Sequence, residues 1–138
     1  MPPEEVRLQD VRAWLSKAEL DLKAAAYEMS APAEALWCDV VFHAQQASEK
    51  AMKAFLAWRD VPFRRTHSLE ELGRQCAALD ATLAAIADEA APLTEYAWKF
   101  RYPGDVEEPS RAEAEEALAA ARQVYGAILS RLPADAQP

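Results

Sequence analysis

Apolar residues recur every three or four positions over two long stretches of the chain, which is typical of amphipathic helices. The first stretch predicts a helix from about Asp10 to Met29. The second predicts an unusually long helix from about Ala33 to Trp58, with no glycine or proline inside it. Its apolar positions form a broad arc: Leu36, Val40, Val41, Ala44, Ala47, Ala51, Met52, Phe55 and Trp58. So wide an arc predicts the central helix of a bundle.

A proline-containing connection over residues 60–67 separates this helix from a short third one. Ser68 and Glu71 have the spacing of a capping box, in which the serine oxygen accepts from a backbone amide and the glutamate reaches back. The third helix is therefore expected to begin at Ser68 and to fade near Leu79.

Two more helices are predicted in the second half of the chain. The fourth runs from about Asp80 to Phe100 and is expected to bend at Pro92, since proline interrupts helical hydrogen bonding. A second capping box, Ser110 with Glu113, opens a fifth helix whose apolar stripe ends at Leu132.

Composition supports a single all-α domain. Alanine supplies 31 of the 138 residues, and valine, isoleucine and threonine are few, a balance that favours helix over sheet. We expect an antiparallel helical bundle of four long helices and one short helix. The domain spans residues 1–138, with a core at about 8–132 and a tail, residues 133–138, that frays.

Hydropathy and charge narrow the classes of function. No apolar run exceeds five residues, which excludes a membrane span and a secretory signal, so the expected location is the cytoplasm. The net charge of −8 disfavours an extensive grip on RNA, although residues 50–65 are locally basic. Cys38 and Cys76 are expected to be buried thiols. The spacing of histidines, cysteines and acids predicts no metal site, and no cofactor is expected.

One sector of the second helix is polar and lies opposite its apolar arc. It contains Phe42, Gln46, Glu49 and Lys53. One interpretation is a solvated face in which Glu49 and Lys53 form a weak ion pair. The other is a groove or self-association surface, because an aromatic residue amid polar ones fits a solvated face poorly.

Three separated segments resemble the HEPN family (higher eukaryotes and prokaryotes nucleotide-binding), particularly its small stand-alone prokaryotic members. The segments are FHAQQASEKAMKAFL (42–56), RTHSLEEL (65–72) and LTEYAWKFRYPGD (93–105). The resemblance spans about residues 10–130. It implies a helical bundle that is usually dimeric, often encoded beside a minimal nucleotidyltransferase in toxin–antitoxin pairs, and in many members a metal-independent ribonuclease.

The ribonuclease activity of the family is tied to an arginine followed after a few residues by a histidine. Arg101 resembles that arginine, but no histidine follows it in the chain. Imidazole is suited to accepting and returning a proton near neutral pH, whereas arginine stays charged. His67 is the substitute that follows two arginines, while His43, at the edge of the polar sector, is expected to donate a hydrogen bond to a neighbouring residue.

The favoured prediction is a non-catalytic or degenerate HEPN-like module, a homodimer that binds a nucleotide of the ATP or GTP class, a minimal nucleotidyltransferase, or both. The predicted contacts are Gln46, Glu49, Lys50, Lys53, Arg64, Arg65, His67, Arg101 and Tyr102. One alternative is a metal-independent RNase toxin that uses Arg101 and His67. Another is a purely structural oligomerisation module whose polar sector is a subunit seam.

Overall fold

Five α-helices and three short 3-10 segments account for most of the chain in this computed structural model, which describes residues 3–31, 35–104 and 107–138. The α-helices are α1 (Pro3–Met29), α2 (Trp37–Trp58), α3 (Leu69–Leu79), α4 (Ala84–Ala90) and α5 (Arg111–Leu129). The 3-10 segments are Ala81–Leu83, Ala91–Ala97 and Ala134–Ala136. These ranges contain no strand, so the predicted all-α class is confirmed. No helix within them combines the length and apolarity needed to cross a bilayer.

The two long N-terminal helices do not begin where the apolar repeats predicted. α1 begins at Pro3 rather than Asp10. Proline fits the first helical position, and the two glutamates that follow it favour the positive end of the helix. α2 begins at Trp37, and the predicted start at Ala33 lies outside the described residues.

The two predicted capping boxes differ in the structure. At α5 the box is complete, because Ser110 Oγ accepts from the Glu113 N–H and the Glu113 carboxylate accepts from the Ser110 N–H, both at 3.1 Å. At α3 only one half forms: Ser68 Oγ accepts from the Glu71 N–H at 3.2 Å. The Glu71 carboxylate accepts two bonds from the guanidinium of Arg64 instead, at 2.8 and 3.0 Å.

The predicted fourth helix is divided into α4 and two flanking 3-10 segments. Pro92 lacks the N–H that an α-helix needs, and the chain continues there as the 3-10 segment Ala91–Ala97. The expected bend at Pro92 is therefore a change of helix type. Within this segment, Thr94 Oγ1 accepts from the backbone N–H of Leu69 at 3.0 Å, which ties it to the start of α3.

α2 is the central helix, as its apolar arc predicted. It contacts α1, α3, α5 and the 3-10 segment Ala91–Ala97, and 13 of its 22 residues are buried. α1 runs antiparallel to it, because Asp21 and Glu28 of α1 pair in reverse order with Lys50 and His43 of α2.

α5 runs in the same direction as α2. Near the N-termini of both helices, the Arg111 guanidinium lies 5.8 Å from the centre of the Trp37 ring. Further along both helices, Met52 and Val124 line one small apolar space. α3 also follows the direction of α2, because the His67 carbonyl just before α3 contacts Gln45, and Cys76 further along α3 contacts the Met52 carbonyl. The antiparallel bundle that the sequence predicted therefore also contains parallel neighbours.

The connection between α2 and α3 explains this arrangement. We call residues 59–68 the return loop, because they carry the chain back along α2 before α3 begins. The loop turns at Asp60, whose φ of 56° is the left-handed conformation common after a helix end. Near its far end, the His67 carbonyl accepts from Gln45 Nε2 at 3.0 Å, in the first half of α2.

The C-terminal tail packs against α1 instead of fraying. The segment Ala134–Ala136 forms a 3-10 turn, and Ala136 is fully buried. The Asp135 carbonyl accepts from the Nε of Arg12 in α1. The expectation of a frayed tail at residues 133–138 overlooked the apolar surface that α1 offers at this point.

Candidate functional site

The polar sector of α2 is only partly open to solvent. Phe42, Gln46, Glu49 and Lys53 share one side of the helix as predicted, but Glu49 is 4% exposed and Lys53 is 6% exposed. The return loop and α1 cover this half of the sector within one protomer. The interpretations of a solvated face and of a subunit seam are therefore both wrong for Glu49 and Lys53.

Lys53 and Glu49 form a buried ion pair beneath two aromatic rings. Lys53 Nζ donates to Glu49 Oε2 at 2.9 Å. The ammonium lies 5.5 Å from the centre of the Trp14 ring and 5.7 Å from that of Phe63, within reach of a cation–π interaction. Both charges thus have partners within the protomer. The pair therefore holds neighbouring residues in position and is not placed to contact a ligand.

His67 is held by the other oxygen of the same carboxylate. Its Nδ1 lies 2.7 Å from Glu49 Oε1, and a proton on Nδ1 makes this a hydrogen bond. Gln45 Nε2 also donates to Glu49 Oε1, at 3.3 Å, and Gln45 is fully buried. Because 62% of the His67 side chain is exposed, the rest of the imidazole faces solvent in a fixed orientation.

Arg101 occupies the opposite end of the sector. Its guanidinium carbon lies 3.9 Å from the centre of the Phe42 ring, and its Nη1 donates to Asp39 Oδ1 at 3.2 Å. The Arg101 side chain is 38% exposed. Tyr102, the next residue, is 78% exposed, and Trp98 nearby in the chain is also exposed. Phe42 is the aromatic residue that the solvated-face interpretation could not explain. Its ring is the surface against which the Arg101 guanidinium packs.

The exposed part of the sector extends from Arg101 to His67. Phe42 and Glu49, which anchor them, are seven residues apart on one side of α2, or about 10 Å along the helix axis. Gln46 lies between the two anchors and donates from Nε2 to Gln45 Oε1 at 2.6 Å. We call the surface formed by Arg101, Gln46 and His67 the α2 face. It can contact separate parts of one small anionic ligand.

The remaining basic residues of the predicted set differ in their acidic partners and in their exposure to solvent. Lys50 Nζ donates to Asp21 Oδ2 at 2.7 Å, and Arg64 pairs with Glu71. The hydrogen bonds from Arg64 hold the pKa of Glu71 below its usual value. Arg65 is exposed and lies two residues before His67 in the return loop. Arg64 is 78% and His67 62% exposed, whereas Arg101, which also has an acidic partner, is 38% exposed.

His43 pairs with a neighbouring side chain, as the sequence indicated. Its Nδ1 lies 2.7 Å from Glu28 Oε1 of α1, and 24% of its side chain is exposed. Its ring meets that of Phe42 edge to face at 5.4 Å. The contact joins the end of α1 to the platform beneath Arg101.

Sequence reasoning missed the residues that cover and brace the site. Phe63 was treated only as part of a connection, and Trp14 only as part of an apolar stripe. Gln45 and Asp39 received no role, because a single glutamine or aspartate on a helix carries no signal of its own. Among the described residues, no three His, Cys, Asp or Glu side chains are grouped so that they could hold a metal ion.

Comparison with known proteins assigns the fold to a family. No curated protein and no solved structure matches the chain significantly. The family model of the HEPN domain matches residues 11–132, from within α1 to just beyond α5. This range includes the whole α2 face and the elements that position it. The chain therefore belongs to the HEPN domain family.

Proposed function

We propose that this chain is a non-catalytic or degenerate HEPN module that binds the phosphate groups of a nucleotide of the ATP or GTP class on its α2 face. One observation carries the proposal. Side chains of α2 hold Arg101 and His67 in place, and the parts of these two side chains that lie outside those contacts are exposed on the same side of α2. Braced donors lose little conformational entropy on binding an anion.

Each predicted contact takes a defined part in this proposal. Arg101, Arg65 and His67 supply positive groups or donors to phosphate, and Gln46 supplies an amide between them. Tyr102 offers an exposed ring on which a base can stack. Lys50 and Arg64 stand at the edges with acidic partners, while Glu49 and Lys53 hold His67 in place.

The spacing of the two braced groups argues against RNA cleavage by this pair. A general base must lie within hydrogen-bond reach of the proton that it abstracts, close to the group that stabilises the reacting phosphate. Anchors about 10 Å apart along α2 leave Arg101 and His67 suited to different ends of a ligand rather than to one phosphorus atom.

A thermal-shift titration with ATP, GTP, AMP, GMP and inorganic phosphate tests the proposal. Ligand at about 100 times its Kd should stabilise the fold by about 2.7 kcal/mol. Arg101→Ala and His67→Ala should each lose most of the shift, whereas Arg122→Ala, which removes an exposed arginine from α5, should keep it. No shift with any of these ligands would overturn the proposal.

A metal-independent RNase toxin is the second candidate, favoured by the orientation of the exposed His67 ring on Glu49. It predicts cleavage of RNA in EDTA, with loss of that activity in both Arg101→Ala and His67→Ala. Cleavage that survives either substitution would exclude this role for the pair.

The proposed module acts as a homodimer in a toxin–antitoxin-type system, with a minimal nucleotidyltransferase as partner. HEPN domains commonly dimerise, and family membership supports this part of the proposal. Co-expression with a nucleotidyltransferase encoded next to it should give a complex that survives size-exclusion chromatography. Separate elution of the two proteins would contradict the partnership but not nucleotide binding.

A further inference from the structure

A cavity lies where the start of α1, the end of α2 and the return loop meet. Its volume is about 770 Å³, which is within the range of small-molecule sites. The walls are largely apolar and include Val6, Ala57, Val61, Pro62 and Phe63. Three charged residues also line it: Arg7, Asp10 and Asp60. The cavity contains no residue of the α2 face and is therefore a separate place in the molecule.

Arg7 is the residue of this cavity whose hydrogen bonding is incomplete. Its Nε is buried without a hydrogen-bond partner, and no other buried side-chain nitrogen or oxygen in residues 3–31, 35–104 and 107–138 lacks one. The guanidinium forms no ion pair with a carboxylate of these residues. Its carbon lies 5.0 Å from the centre of the Trp58 ring, which helps to hold it in place. Buried donors are nearly always satisfied, so Arg7 suits an acceptor from outside the chain.

The charges of the cavity determine which acceptor fits. One arginine and two aspartates give the lining a net charge of −1, which opposes a phosphate or another dianion. A simple cation would leave the arginine without an acceptor. A zwitterion matches both signs, because its carboxylate can accept from Arg7 and its ammonium can pair with an aspartate.

The spacing of Arg7 and Asp10 indicates the kind of zwitterion. Residues three positions apart are neighbours on one side of a helix, with their Cβ atoms about 5 to 6 Å apart. The two side chains do not pair with each other, so both are available to a ligand. An α-amino acid carries its ammonium and its carboxylate on one carbon, and it therefore suits two neighbouring side chains of opposite charge. An apolar side chain on that carbon would leave water against the apolar walls.

We propose that this cavity binds an α-amino acid with an apolar side chain, whose carboxylate pairs with Arg7 and whose ammonium pairs with Asp10. Asp60 strengthens the preference for an ammonium over a second carboxylate. The proposal goes beyond the α2 face and does not depend on nucleotide binding.

Isothermal titration calorimetry of the full chain with free amino acids tests the ligand class. At least one of phenylalanine and leucine should bind with a Kd below about 1 mM. Glycine lacks the apolar side chain, hydrocinnamate lacks the ammonium and phenethylamine lacks the carboxylate, so each should bind roughly tenfold more weakly or worse. Failure of both phenylalanine and leucine to bind, or equal binding of any of the three comparison compounds, would overturn the proposal.

Substitutions test the two assigned contacts. Arg7→Met and Asp10→Asn should each raise the Kd of the tighter-binding amino acid by roughly tenfold or more. Arg122→Met and Asp88→Asn make the same changes at exposed positions of α5 and α4 and should leave the Kd unchanged. An unchanged Kd in either cavity variant, or an equal loss in its matched control, would contradict the assignment. Circular dichroism checks that each variant folds, and the ligand series tests the proposal on the unsubstituted protein.

Discussion

The buried charge of Lys53 shows how a single residue depends on its partners. Removing a lysine from water is costly, and here Glu49, Trp14 and Phe63 offset that cost. In a buried pair, loss of one partner leaves an uncompensated charge, whereas replacement of both by apolar residues is often nearly neutral. The pair therefore matters more for holding His67 than for net stability.

A double-mutant cycle tests this account. Glu49→Leu should lower the free energy of unfolding by about 3 kcal/mol, because it strands the Lys53 ammonium. Adding Lys53→Met should recover at least half of that loss in urea denaturation. Lys99→Met, which breaks a surface pair with Glu95, should change stability by less than about 0.5 kcal/mol. A double variant as unstable as the sum of its singles would contradict the account.

Sequence reasoning found the sector of α2 but not its burial. Helical periodicity states which residues share a side, so Phe42, Gln46, Glu49 and Lys53 could be grouped without coordinates. It does not state what covers that side. The cover comes from Trp14 and the return loop, whose path depends on contacts far apart in the chain.

At the scale of elements, α3 and α4 approach each other closely at a glycine. A Cβ on Gly73 would lie 3.0 Å from the Cβ of Ala87, which is attached directly to the α4 backbone and cannot rotate away. Gly126 of α5, in contrast, has open space where its side chain would be. The two positions form a natural pair for comparison.

Alanine substitutions at these glycines should have opposite effects. Gly126→Ala should stabilise the fold by about 0.5 to 1 kcal/mol, because alanine is the better helix former. Gly73→Ala should destabilise it by about 1 kcal/mol or more through overpacking. Ala87→Gly in the Gly73→Ala background should relieve the overpacking. Thermal denaturation provides the measurement, and equal stabilisation at both glycines would refute the close approach.

Local signals predicted helix ends better than they predicted helix type. The complete box at Ser110 followed from the serine and the glutamate three residues later. At Ser68 the same signal succeeded only in part, since Arg64 competes for Glu71 from the return loop. The break at Pro92 was visible, but its outcome, a 3-10 segment tied to α3 through Thr94, depends on tertiary contacts.

For the whole molecule, Cys76 links stability to pH. It is a free thiol, as predicted, and burial raises its pKa to about 12. Cys38, also free, is only half-buried, so the expectation of two buried thiols holds for Cys76 alone. Above pH 9 the unfolded chain loses the Cys76 proton while the folded chain keeps it, so stability falls as pH rises toward 12.

Denaturation between pH 9 and pH 10 should reveal this dependence. One retained proton lowers the free energy of unfolding by at most about 1.4 kcal/mol per pH unit. Cys76→Ala should reduce the slope, whatever it does to stability at neutral pH. Burial also raises the pKa of Tyr125 to about 12. Between pH 9 and pH 10, most of the change in stability that Tyr125 causes is avoided. Identical slopes in the two proteins would contradict the assignment.

The enclosure of α2 affects how the protein exchanges hydrogen with solvent. Helices lie around it, and thirteen of its residues are buried. Its backbone amides can meet deuterated water only when the surrounding helices separate, so their exchange tracks opening of the whole molecule rather than local fraying. α2 carries Phe42 and Glu49, which hold Arg101 and His67. A ligand that raises the free energy of unfolding should therefore slow hydrogen exchange at the amides of this same helix.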